Sequence, residues 1–128
     1  MQPTHLMNWN AGWWLLLAGV LSGGIAAVSF HREDYGGGYE SFRRRIVRLG
    51  HVALAALGMV NLVFALSPWP VPSSNEGHLA GLCFVLGGIS MPGVCFLSGI
   101  FPPSRHLFFI PVMLLLAGVG LVLRGAGP

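Results

Sequence analysis

The chain has 128 residues, of which 54% are hydrophobic and only 9% charged, with a formal net charge of +3 at pH 7. Soluble domains carry roughly 25% charged residues, so a chain of this composition cannot cover a water-facing surface, and its length fits one domain, residues 1–128, without a separate soluble module. The positive balance comes from one arginine cluster that lacks an interleaved aromatic platform, which argues against nucleic acid as a partner, and the absence of any lysine excludes a retinal Schiff base or a lysine nucleophile.

Four apolar runs fill most of the chain, Ala11 to Phe30, Leu49 to Leu66, Leu79 to Ile100 and Leu107 to Leu123, and none has an acid, Lys or Arg at its centre. At a rise of about 1.5 Å per residue, each can cross or nearly cross a hydrocarbon layer about 30 Å thick. The expected fold is therefore all-α: an integral membrane four-helix transmembrane bundle with helices at about residues 11–30, 47–66, 79–100 and 107–123.

The first run is preceded by Met1 to Asn10, which holds no Lys or Arg. Without a basic n-region, and longer than an h-region of roughly 7–15 residues, the run reads as a retained helix rather than a signal peptide. Gly19, Gly23 and Ala27 repeat every four residues and form a seam along which another helix can approach closely.

The connection His31 to Arg48 holds Arg32, Arg43, Arg44, Arg45 and Arg48, five of the seven basic residues. By the positive-inside rule it faces the cytoplasm of a bacterial-type inner membrane, which places both termini on the outer side. Trp9, Trp13, Trp14 and Trp69 then fall near the outer interface, while Arg124 opposes the bias. Tyr35-Gly36-Gly37-Gly38-Tyr39 lacks the Gly-Lys-Ser/Thr ending of a phosphate-cradling loop and reads as a flexible linker. Arg43 to Arg45 serve topology and contact with anionic lipid rather than a specific binding site.

In the second run, His51 lies just inside the boundary and shares a face with Ala55 and Gly58, so a shallow groove is expected beside it. Asn61, near the centre, needs a partner for its amide: an interhelical hydrogen bond or a quinone or substrate carbonyl. Pro68, Pro70 and Pro72 make the following connection extended and stiff. Beyond it, Glu76 and His78 suit either a capped helix start or, with His5, a divalent ion.

The third run carries a second seam, Gly77, Gly81, Gly88, Cys95 and Gly99, at steps of four or seven. Cys83 and Cys95 stand about 120° apart on a helix and form no disulfide framework. Met91 and Cys95 share a face that could suit Cu(I), although sulfur side chains in apolar helices usually pack. Pro92 here, and Pro111 in the fourth run, each free a carbonyl and permit a kink. His106 follows Arg105 at the mouth of the fourth helix, at the expected depth of His51. Two imidazoles on neighbouring helices are what a bis-histidine haem b requires.

Chemistry is further bounded by what is missing. All four acids, Glu33, Asp34, Glu40 and Glu76, fall in predicted loops, which removes the carboxylate relay of many ion pumps, and no Ser-His-Asp arrangement, HExxH or CxxC occurs. Leu15 to Val20 and Leu114 to Val119 share one hexapeptide, too little in so biased a composition to establish a duplicated hairpin. The reading that follows is a small inner-membrane protein without enzymatic activity. It is an accessory or scaffolding subunit that joins other membrane subunits, or copies of itself, through the glycine seams. The alternatives are a haem- or quinone-linked redox subunit using His51, His106 and Asn61, and a small channel or transporter for a neutral solute using the proline kinks.

Overall fold

Three of the four helices begin well before their apolar runs, because capping and polar side chains draw the helical start outward. The structure, a computed structural model that describes residues 3–68 and 74–125, contains α1 (Pro3–Phe30), α2 (Phe42–Leu66), α3 (Asn75–Ile100) and α4 (Phe109–Gly125). Ser41 caps α2 by accepting the Arg44 N–H at 3.2 Å, and Ser74 caps α3 by accepting the Gly77 N–H at 3.0 Å. Helix α1 opens on Pro3, whose fixed φ suits a first helical position. Trp69, Pro70 and Pro72 lie outside the described residues.

The last helix departs most from expectation. A 3₁₀ segment, Pro102–Phe108, carries Arg105 and His106, and α4 proper starts only at Phe109. Pro111 therefore sits in the first turn of α4, where its missing N–H interrupts nothing. The Leu107 carbonyl that it cannot serve accepts the Phe109 N–H instead. Pro92 lies inside α3, fully buried, and α3 continues through it. Neither proline interrupts its helix: α3 runs through Pro92, and Pro111 lies in the first turn of α4.

Each of the four helical spans is long and apolar enough to cross a membrane, and the protein is a multi-pass membrane protein built as an all-α four-helix bundle. Helix α1 packs on α2, α2 on α3 and α3 on α4, with a smaller α1–α3 contact. Three helices thus form a mutually packed core, and α4 lies on the far flank of α3. In hydrocarbon, apolar side chains gain little by leaving lipid, so close van der Waals contact and interhelical hydrogen bonds carry the assembly. Accordingly the buried stripe of α1 is Thr4, Asn8, Gly12, Leu15 and Gly19, at helical spacing, whereas Trp14, Val20, Ile25 and Val28 face outward. Phe64, Ala80 and Phe84 form the one fully apolar cluster among the described residues, which Leu115, Leu121 and Val122 cover from α4.

The starts of α1 and α3 meet the end of α4: Thr4 Oγ1 lies 3.3 Å from His78 Nδ1, and Arg124 pairs with Glu76 at 3.4 Å. The first and last described residues therefore share one end of the bundle. At the other end, the connection between α1 and α2 is a defined turn rather than a loose linker. Gly36, Gly37 and Gly38 adopt φ of 69°, 94° and 91°, a run that side chains with a Cβ strongly resist. This turn seats Tyr35 against Phe30 and folds beneath Arg44, whose guanidinium donates to the carbonyls of Phe30 at 2.7 Å and Glu33 at 3.3 Å.

Candidate functional site

Asn61 is fully buried, and its partner is Asn8 of α1. The Asn8 amide donates to Asn61 Oδ1 at 2.8 Å and to the Gly81 carbonyl at 3.0 Å. The Asn61 amide in turn donates to the carbonyls of Leu57 at 2.9 Å and Phe84 at 3.1 Å. Side chains from α1 and α2, with the backbone of α3, thus form one polar node inside the three-helix core, toward the end where α1 and α3 begin. All of the Asn61 hydrogen-bonding groups are engaged there, so its role in this geometry is to lock helices. Asn8 was not legible as a site residue because the apolar run starts after it. The signal was its spacing from Thr4, Gly12, Leu15 and Gly19.

His51 turns toward α1. Its Nδ1 lies 2.8 Å from the Gly19 carbonyl and 3.4 Å from Ser22 Oγ, and its ring occupies the space where a Cβ on Gly23 would sit. The groove expected beside it, along Ala55 and Gly58, is filled by α1: a Cβ on Gly58 would come 3.1 Å from Leu16, and one on Gly19 would come 3.3 Å from the Ala55 nitrogen. His106 is exposed on the 3₁₀ segment, which packs on α3 and α4. The two imidazoles therefore face different surroundings, one an intramolecular notch and the other the bundle exterior.

The small residues mark the helix crossings within the chain. Gly12 and Gly58 oppose each other between α1 and α2, a Cβ on either reaching the carbonyl oxygen of the other at 2.9–3.0 Å. On α3, a Cβ at Gly81 would meet Asn8 Oδ1 at 2.6 Å, one at Gly88 would meet Leu15 at 2.9 Å, and one at Gly99 would meet Val47 at 3.0 Å. Gly77 is buried at the start of α3, and Cys95 packs against Gly50. These glycines are therefore engaged in helix crossings inside the bundle, while Ala27, the third member of the α1 seam, is exposed.

The remaining polar candidates disperse. His5 stacks edge-on with Phe64, His78 faces Thr4 and Glu76 pairs with Arg124. Among the described residues, no three His, Cys, Asp or Glu side chains converge as a metal-binding group.

What the packing leaves open is a furrow between α2 and α4. Because α4 packs mainly on α3, two apolar recesses of about 340 and 440 Å³ lie between its inner flank and α2. One is walled by Val60, Val63 and Val119 over Phe84; the other by Val52, Ala53, Ala56 and Leu115 over Met91. No protein-family model matches the chain, and no curated protein or solved structure is significantly similar to it. The two recesses share no wall residue, and together their linings span α2 from Leu49 to Ser67, about 27 Å at helical rise, which is close to the full hydrocarbon thickness.

Proposed function

We propose that this protein is a non-enzymatic accessory or scaffolding subunit of a larger complex in a bacterial-type inner membrane, with the arginine-rich end in the cytoplasm. One observation carries the reading: the α2–α4 furrow, whose length suits a transmembrane helix of a partner. A single acyl chain reaches only half of that depth, whereas a helix laid in the furrow touches both recesses. The small walls at Ala53 and Ala56 permit the close backbone approach on which helix pairing in lipid depends. The polar groups of the core support the same reading, since Asn8, Asn61 and His51 are engaged in holding this chain's own helices together.

The test is purification from the native membrane in mild detergent, with a photo-crosslinking residue at Val63 and, separately, Ala56→Trp. Crosslinks to one membrane protein, and its loss from the purified complex in Ala56→Trp while the variant still inserts, are the expected results. Crosslinks to lipid alone from a monodisperse monomer would refute the proposal.

A further inference from the structure

The arginine-rich end contains a second, different cavity. Arg44 is only 7% exposed. Its two terminal nitrogens reach carbonyls, and its guanidinium lies 4.5 Å from the Phe30 ring centroid and 5.6 Å from that of Tyr39, but its Nε–H has no acceptor among the described residues. Among those residues no carboxylate pairs with it, nor with Arg32, Arg43, Arg45 or Arg48; the one ion pair is Arg124 with Glu76, at the other end. Carbonyls and aromatic faces solvate a buried cation without neutralising it. Moreover Arg43 and Arg44 stand in the first turn of α2, which has no acid there, although the helix dipole at that position favours negative charge. Glu33, Asp34 and Glu40 lie in the same connection, but none comes within ion-pair distance of these arginines, so both facts favour an added anion here.

The cavity of about 260 Å³ that Arg43 and Arg44 line with Tyr35 adjoins a mostly apolar recess of about 210 Å³, and the two share Phe30, Tyr35, Val47 and Phe96 as walls. That recess continues along α1 past Ala26 and Ile25 to Ser22, into the membrane-spanning part of the helix. A cationic chamber that opens into an apolar channel matches a ligand of mixed polarity. We infer that this end binds an anionic phospholipid, its phosphate held at Arg43 and Arg44 and one acyl chain lying along Ile25 and Ala26. Free phosphate would satisfy the arginines and leave the apolar channel unused.

The experiment is native mass spectrometry of the delipidated full-length protein, titrated in parallel with dioleoylphosphatidylglycerol, dioleoylphosphatidylcholine and inorganic phosphate. One phosphatidylglycerol per chain is expected to bind, in preference to phosphatidylcholine. Arg43→Gln, at an exposed position that leaves the Arg44 contacts in place, should weaken that binding about tenfold, the scale of one charge-assisted hydrogen bond. Ala26→Trp, which fills the channel, should abolish it while circular dichroism keeps the helical signal. Equal binding of the two lipids, or phosphatidylglycerol binding indifferent to both substitutions, would overturn the inference. So would retention of inorganic phosphate alone, which would mark the chamber as a site for a free anion.

Discussion

At one end of the bundle, buried amides bond to one another and to backbone carbonyls, with Asn8 Oδ1 and His5 Nε2 left without an acceptor or donor among the described residues; at the other, a guanidinium is buried without an ion-pair partner. The Asn8–Asn61 node gives every amide hydrogen an acceptor within three helices, and Thr4–His78 extends the same pattern outward. Arg44 spends its terminal donors on carbonyls and keeps its full charge. Dipoles can be satisfied internally, because each amide brings both donor and acceptor. A guanidinium brings donors only, so carbonyl partners fix its position without neutralising its charge. The first end is therefore a structural lock, and the second is where an external anion has something to neutralise.

The asparagine lock is most sensitive at Gly81. Gly81→Leu drives a side chain into Asn8 and should cost about 3 kcal/mol by overpacking and loss of the amide contact, read as a large fall in thermal melting of the detergent-solubilised monomer. If that monomer melts normally and only complex formation suffers, Gly81 serves an interface after all. Next in size is Asn61→Leu, which strands the Asn8 amide at about 1–2 kcal/mol. A double-mutant cycle with Asn8→Leu should return a coupling of about 1 kcal/mol, and additive effects would show that the node is not a unit.

Between the two ends lies the His51 notch. Gly23→Ala should destabilise by about 1 kcal/mol, because its Cβ overlaps the imidazole, and in a His51→Ala background the same change should be nearly neutral. A penalty that persists in that background would locate the clash elsewhere. The smallest effect belongs to Glu76→Gln. Arg124 and Glu76 are 79% and 40% exposed, so a change below about 0.5 kcal/mol is expected in the same melting assay.

Much of the fold was legible because hydrocarbon is an uncompromising solvent: a run such as Leu79 to Ile100 has no spanning alternative to a helix except a closed barrel. The glycine spacings likewise marked where backbones approach. The partners of the polar groups were not legible. His51 had no visible relation to Gly19, thirty-two residues away, and the groove assigned to its own face belongs to α1. Asn8 stood outside the apolar run, and Pro111 resembled a mid-helix break because hydropathy does not distinguish the 3₁₀ segment Pro102–Phe108 from the helix that follows.

Sequence alone determined that four apolar helices cross a membrane, that one connection concentrates positive charge, and that small residues line particular helix faces. These follow from solvent exclusion and helical periodicity, which are local properties of the chain. Tertiary structure alone decided which helices the seam glycines meet, that Asn61 pairs with Asn8, that His51 and His106 face different surroundings, and that α4 leaves recesses beside α2. Those outcomes depend on which helix faces meet. Apolar segments all prefer lipid to a similar degree, so the pairing is set by shape and by a few hydrogen bonds formed only once the helices touch.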